Sequence, residues 1–218
     1  DNIAQSGEAL ASPEAADVDA SGTPEVFVLG AGATEEVFVF TDGNVDATPD
    51  ATVMLADGNN AVDLVLRDSN NDGSMDFAVI YANGTFELFV HTGDKSITDG
   101  SWAGQGAVTP TGIDQDAVEI LAGDFDRDGF MDLLVAGHDG GANNGRIEVF
   151  TNDGDSTFTA AAAELSAGTD AINDVALGDL DCDGHLDVVI GHNENNTADN
   201  TIGWSLGDGD GTFTNGAA

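Results

Sequence analysis

One nine-residue phrase, Asp-x-Asp-x-Asp-Gly-x-x-Asp, recurs along this chain and constrains its fold more than any other feature. It is intact at Asp124-Phe125-Asp126-Arg127-Asp128-Gly129-Phe130-Met131-Asp132 and at Asp179-Leu180-Asp181-Cys182-Asp183-Gly184-His185-Leu186-Asp187. A third copy reads Asp68-Ser69-Asn70-Asn71-Asp72-Gly73-Ser74-Met75-Asp76, and a worn fourth reads Asp17-Val18-Asp19-Ala20-Ser21-Gly22-Thr23-Pro24-Glu25. Their first residues stand at 17, 68, 124 and 179, at intervals of 51, 56 and 55. A period in this range suits a propeller blade of four short strands. A lone unit of that kind cannot bury both its faces, so neighbouring units must stack.

The text around each loop repeats as well. An apolar stretch precedes it, as in Val62–Leu66, Val118–Ala122 and Asn173–Leu177. A near-continuous apolar run follows it: Val26–Leu29, Phe77–Ile80, Leu133–Ala136 and Val188–Ile190. Runs of this length and β-branching read as strands buried on both faces. A third strand is expected at Val37–Phe40, Phe86–Val90, Ile147–Phe150 and Ile202–Leu206, followed by turns rich in Gly, Asp and Asn. The fourth strand is weaker, near Thr52–Leu55, Phe158–Ala160 and Thr212–Thr214, and is hard to place near Ala107 and Val108. Ala160–Leu165 could open a helix, but its place in the repeat assigns it to an edge strand.

Carboxylates packed this densely repel one another unless a hard cation sits among them, so the loops predict calcium. A calcium EF-hand would need Glu at the twelfth place, where these loops put Val79, Val135 and Ile190 inside apolar runs. That motif therefore fails.

The unit resembles the FG-GAP/VCBS repeat family, the blade of integrin-α-like β-propellers. Gly123–Val135 and Asn152-Asp153-Gly154-Asp155-Ser156-Thr157-Phe158 carry the resemblance. It implies an all-β chain, a single β-propeller domain of four-stranded antiparallel blades at roughly 9–57, 58–112, 113–168 and 169–218. A closed four-blade ring, part of a larger propeller and an arc completed by another chain all remain open at this point. In a loop of this kind, side chains one, three, five and nine supply oxygens, and the carbonyl of residue seven adds another. The expected ligands are Asp68, Asn70, Asp72, Ser74 and Asp76; Asp124, Asp126, Asp128, Phe130 and Asp132; and Asp179, Asp181, Asp183, His185 and Asp187. The first loop departs, offering Asp17, Asp19, Ser21, Thr23 and Glu25. Three calcium ions are expected, and a fourth if this worn loop binds.

The chain of 218 residues carries 4 Lys+Arg against 41 Asp+Glu, a formal net charge of -37. Nucleic acid is excluded as a partner, because phosphate binding needs a basic face. Four divalent ions would leave -29, so the metal does not account for most of the acidity. The remainder resembles the solvated acidic shell of proteins from salty environments. One cysteine, Cys182, excludes a disulfide within the chain. No apolar run is long enough to span a membrane, and no leader peptide is visible, as expected if one has been removed before Asp1.

No catalytic constellation is visible, so no enzymatic activity is expected. The leading expectation is a calcium-stabilised extracellular or cell-surface module that binds protein or glycan on the rim opposite the calcium loops. The alternatives are a structural subunit of a surface layer, filament or virion, able to self-assemble, and a non-catalytic propeller attached to a carbohydrate-active enzyme. The hairpins at His138–Asn144 and His192–Asn200 are long and polar, as recognition loops are. His138 and His192 could pair on a ligand, although separate surface positions suit them better. Asp63, Glu119 and Asp174 each precede a loop by five residues, a spacing that fits an acidic ring at a central channel. Trp102 and Trp204 are expected to pack between blades rather than stack on a sugar. Asn83 and Asn195 head glycan-acceptor triplets in hairpins.

Overall fold

The computed structural model describes residues 9–31, 35–41, 48–55, 60–93, 96–98, 100–113, 115–139, 144–161, 165–166, 171–193 and 200–215. These residues form strands and loops only. The first sheet is β1 (Ala9–Ala16), β2 (Glu25–Ala31), β3 (Glu36–Phe40) and β4 (Ala51–Met54). The second is β5 (Ala61–Arg67), β6 (Asp76–Tyr81), β7 (Phe86–His91) and β8 (Trp102–Val108). The third is β9 (Gln115–Gly123), β10 (Asp132–Asp139) and β11 (Asn144–Thr151), with its outer place shared by β12 (Thr159–Ala160) and β13 (Leu165–Ser166). The fourth is β14 (Ala171–Gly178), β15 (Asp187–Asn193), β16 (Asn200–Gly207) and β17 (Phe213–Asn215). Each sheet is antiparallel with its strands in chain order, the meander of a propeller blade.

The outer strand of the second sheet, unplaced by sequence, is the seven-residue β8. Its residues from Ala103 to Ala107 are exposed, so no apolar run announces it. Ala160 and Leu165 lie in the short outer strands β12 and β13.

The second strands of the second and third sheets are apolar through their middles because each feeds two cores. Phe77, Val79 and Tyr81 of β6 pack with Phe27, Leu29, Val37 and Val39 of the first sheet. The alternate residues Ala78 and Ile80 pack with Leu133 and Val135 of the third. Leu134 and Ala136 then meet Val188 and Ile190 of the fourth. The two-residue period of a strand thus deals its side chains to opposite neighbours.

The first strands hold the row together. Each slips register against its second strand, at Ala11/Glu14, Ala61/Asp63, Ala136/His138 and Ile172/Asp174. Such bulges free main-chain groups for other partners. Asp63 Oδ2 accepts the N–H of Ile120 at 3.1 Å, and Glu119 Oε2 accepts that of Val175 at 2.9 Å. Ser12 Oγ donates to Asp63 Oδ1 at 2.6 Å. Asp63 and Glu119, expected in a ring of solvated acids, therefore act as clamps between consecutive blades. β1 packs on β5, β5 on β9 and β9 on β14, while β14 makes no comparable contact with β1.

Candidate metal centres in the repeated loops

Each repeated loop joins a first strand to a second, and all four share one backbone design. The fourth residue is left-handed in every copy: Ala20, Asn71, Arg127 and Cys182 have φ of 60°, 57°, 65° and 65°. The glycine at place six follows, with φ of 90°, 87°, 90° and 87° at Gly22, Gly73, Gly129 and Gly184. Space does not demand glycine there, since a Cβ would meet nothing within 4 Å. The dihedral demands it.

Carboxylates organise the turn. The first aspartate accepts the glycine N–H at 2.8–3.1 Å in all four loops, through Asp17, Asp68, Asp124 and Asp179. The third-place side chain accepts from residue five, as Asp126 does from Asp128 at 3.1 Å. The ninth-place carboxylate reaches back to the N–H of residue two: Glu25 to Val18, Asp76 to Ser69, Asp132 to Phe125 and Asp187 to Leu180, at 2.6–2.9 Å. Its second oxygen seizes the end of the third strand, accepting from His91, Asn152 and Gly207 at 2.8, 2.9 and 2.8 Å in the last three blades. Asp76, Asp132, Asp187 and Glu25 are all fully buried.

This frame converges places one, three and nine. Asp17, Asp19 and Glu25 bring ligand oxygens within 4.8 Å of one another, as do Asp124, Asp126 and Asp132, and Asp179, Asp181 and Asp187. The second loop has the same hydrogen-bond frame, with Asn70 at place three between Asp68 and Asp76. The worn first loop thus gathers three carboxylates, because the longer Glu25 reaches the same point. Its Ser21 and Thr23 hydroxyls face one another at 2.8 Å. Asp72, Asp128 and Asp183, at place five, stand outside the triads and accept from the N–H of Ser74, Phe130 and His185 at 2.8–2.9 Å.

The donor sets fit a hard cation. Among the described residues, four buried side-chain oxygens or nitrogens lack a hydrogen-bond partner, and two of them, Glu25 Oε1 and Asp124 Oδ1, belong to these triads. A buried carboxylate oxygen without a donor is costly unless a positive charge faces it. The titration of the groups agrees. Burial pushes Asp132 up to about 6 against the pull of N–H bonds from Asn152 and Phe125. Burial raises Asp126 too, and its neighbours Asp128 and Asp124 add to the rise. Burial likewise raises Asp76 and Glu25.

Neighbouring loops also touch, which motif spacing did not reveal. Asn71, at place four, donates through Nδ2 to the carbonyl of Gly129 in the next loop at 2.9 Å. Arg127, at the same place one blade on, donates through Nη1 to His185 Nε2 at 2.9 Å. Since guanidinium cannot accept, His185 carries its proton on Nδ1, beside Asp183 Oδ2 at 3.0 Å and the Gly207 carbonyl at 3.1 Å. The signal was the residue type at the left-handed place: a side chain pointing out of the turn and long enough to cross.

The other candidates separate. His138 receives the N–H of Ile172 on Nε2 at 3.1 Å and contacts the Asp116 carbonyl through Nδ1, so it joins two blades. His192 bonds the Thr201 hydroxyl of the neighbouring strand at 2.9 Å. Trp102 is buried among Phe27, Phe77 and His91, as expected. Trp204 is not packed between blades; it is exposed on the face of the fourth sheet. Asn83 accepts from Thr85 N and Oγ1 at 3.1 and 2.7 Å within its turn. Asn195, Gly140–Asn143 and most of the His192–Asn200 hairpin lie outside the described residues.

Comparison with known proteins agrees with the geometry. No curated protein matches the chain. Residues 68–135 and 136–190 each match the FG-GAP-like repeat, together more than half of the sequence. Meandering blades, one acidic loop per blade and these matches establish that the chain belongs to the FG-GAP-like repeat family.

Proposed function

We propose that the chain is a calcium-stabilised extracellular binding or adhesion module, with its ligand, a protein or glycan, taken on the rim opposite the acidic loops. The reading involves no catalytic step. The observation that carries it is the repeated convergence of places one, three and nine, with buried carboxylate oxygens left without donors in the first and third loops. An oxygen-only set of this charge suits calcium, which takes six to eight oxygens, better than magnesium, which keeps several waters. Bound calcium would supply the counter-charge that the triads lack. The protein's own contribution is the frame: the glycine N–H orients the first aspartate, and the ninth-place carboxylate ties the loop to the third strand.

Such sites favour the folded state by mass action and suit a compartment rich in free calcium. Calorimetric titration of chelator-treated protein tests the reading. Calcium should bind with a stoichiometry of at least three, on the order of 10⁻⁴–10⁻³ M or tighter, while magnesium competes weakly. Absence of calcium-specific heat, with an unchanged melting temperature, would refute it. Glycan-array and cell-surface binding, each with and without chelator, test the recognition half separately.

A further inference from the structure

Place four of each acidic loop is left-handed, a conformation that asparagine tolerates and that is unfavourable for arginine. Arg127 holds a φ of 65° there all the same, in a chain with only 4 Lys+Arg. What the place offers is reach. Asn71 and Arg127 both cross from it to the next loop, and each crossing leads by a short series of bonds to a carboxylate of the neighbouring triad.

Asn71 Nδ2 donates to the Gly129 carbonyl at 2.9 Å, and the N–H of the same glycine donates to Asp124 Oδ2 at 3.1 Å. The next N–H, on Phe130, is held by Asp128 Oδ1 at 2.8 Å. The peptide that Asn71 grips is therefore fixed on both sides, and Asp124 is one of the three converging carboxylates of the third loop. Asn71 is set in turn by its own loop. Asp68 Oδ1 and Asn70 Oδ1 hold the N–H of Asp72, the residue that follows it, at 3.2 and 3.0 Å.

Arg127 stands between Asp126, a member of the third triad, and Asp128. Its Nη1 meets His185 Nε2 at 2.9 Å. His185 Nδ1 reaches the Gly207 carbonyl at 3.1 Å, and the Gly207 N–H donates to Asp187 Oδ1 at 2.8 Å. Asp187 belongs to the fourth triad. From the first loop to the second this crossing cannot form, because place four there is Ala20, whose methyl group has no donor.

We infer, on the calcium reading of the loops, that Asn71 and Arg127 are positioning residues that couple calcium binding across the second, third and fourth loops, so that filling one raises the affinity of the loops it touches, while the first loop stays outside the coupled row. An empty loop must lose conformational freedom before its carboxylates converge. Where a neighbour is already filled, the crossing side chain has done part of that ordering. By linkage the effect is reciprocal. Each crossing is one hydrogen bond near the surface, which sets the effect at about threefold to tenfold in affinity. Charge acts in the opposite sense, since every cation bound weakens the pull of the acidic surface on the next. The test must therefore separate the side chain from the field.

Calcium titration of the metal-free full chain, followed by NMR, reads the loops one at a time. Gly22, Gly73, Gly129 and Gly184 each donate to the first aspartate of their own loop, so each amide resonance reports one site. Asp126→Ala, which silences the third loop, should raise the calcium midpoints at Gly73 and Gly184 by about threefold to tenfold. Gly22, in the uncoupled loop, should not move and is the reference for any general effect of charge. Asn71→Gly keeps the charge and accepts the left-handed turn without a side chain. In that background the same silencing should leave Gly73 where it was, and Arg127→Gly should release Gly184 likewise. A midpoint at Gly73 that does not respond when the third loop of the parent is silenced would overturn the proposal. So would a response of equal size with Asn71→Gly, which would assign the coupling to the field or to Asn152. Four glycine amides that all ignore calcium would be a different result, overturning the calcium reading and the coupling with it.

Discussion

Asn152, in the third blade, donates through Nδ2 to the main-chain oxygen of Ser69, in the acidic loop of the second, at 2.7 Å. The same nitrogen reaches the Met131 carbonyl at 3.0 Å, and Oδ1 accepts from Gly154 and Ser156 at 3.0 and 3.1 Å. The residue is wholly buried, so every one of these bonds is made without water. Two loops and a turn from two blades are therefore held by one side chain.

Asn152→Ala should accordingly cost about 2–4 kcal/mol, because it strands several buried carbonyl and N–H groups. Urea unfolding would measure it. The loss should be similar in calcium and in chelator, since the side chain acts on the frame. A loss confined to calcium-loaded protein would mean that Asn152 works through the metal.

The third loop separates two roles that its motif shows as one. Asp132 bonds Phe125 and Asn152 within the frame, whereas Asp126 and Asp128 mainly accept from their own loop. Asp132→Ala should destabilise in chelator as well as in calcium. Asp126→Ala should remove only the calcium-linked part of stability, about 2.7 kcal/mol when free calcium is a hundredfold above the dissociation constant. Asp128→Ala, outside the triad, should lower calcium-linked stability by less, with little change in chelator. Melting curves across a calcium series check all three. Equal losses for Asp126→Ala in both conditions would contradict the triad's role.

The blades were legible because their signals are local. The acidic loop, the apolar run after it and the glycine-rich turns each sit within a few residues, and the same order recurs four times. β8 was not legible because an outer strand exposed along most of its length needs no apolar pattern. Glu25 looked like a departure from the loop, yet its extra methylene lets it converge with Asp17 and Asp19. Trp204 misled in the opposite direction. Its place in the third strand implied burial, but burial there depends on the blade that follows, a relation the strand's own residues do not contain. The role of Asp63 and Glu119 was hidden for the same reason: their partners, Ile120 and Val175, belong to the next unit.

Glu119 should give the chain a stability that falls as pH rises. Burial first, and then the neighbouring Asp174 and Asp63, push it from 4.5 up to about 7, although the Val175 N–H pulls it down. A carboxyl raised on folding favours the native state fully below about 4.5, and that contribution is lost as pH climbs through about 7. Glu119→Gln keeps an acceptor for Val175 and removes the charge. It should gain about 1–2 kcal/mol over the parent at pH 8, after allowance for the group's partial exposure, and little at pH 4. Paired denaturation curves at the two pH values, in chelator, measure the difference. A gain that is the same at both would show that Glu119 does not titrate in this range.

Salt should stabilise the fold even when calcium saturates the loops. Four divalent ions would reduce the formal charge from -37 only to -29, and the described residues contain a single Arg–carboxylate bridge, Arg146 to Asp139 at 2.9 Å. The acidic surface therefore repels itself with few cations to offset it. Raising monovalent salt to about 1 M shortens the screening length to about 3 Å, well inside the spacing of most surface charges. The melting temperature at fixed free calcium should rise continuously between low salt and molar salt. Potassium chloride and sodium chloride should act alike, since screening depends on ionic strength rather than on the ion. A melting temperature that does not change across that range would leave self-repulsion without a measurable effect, and would point to a cationic partner as the reason for so acidic a surface.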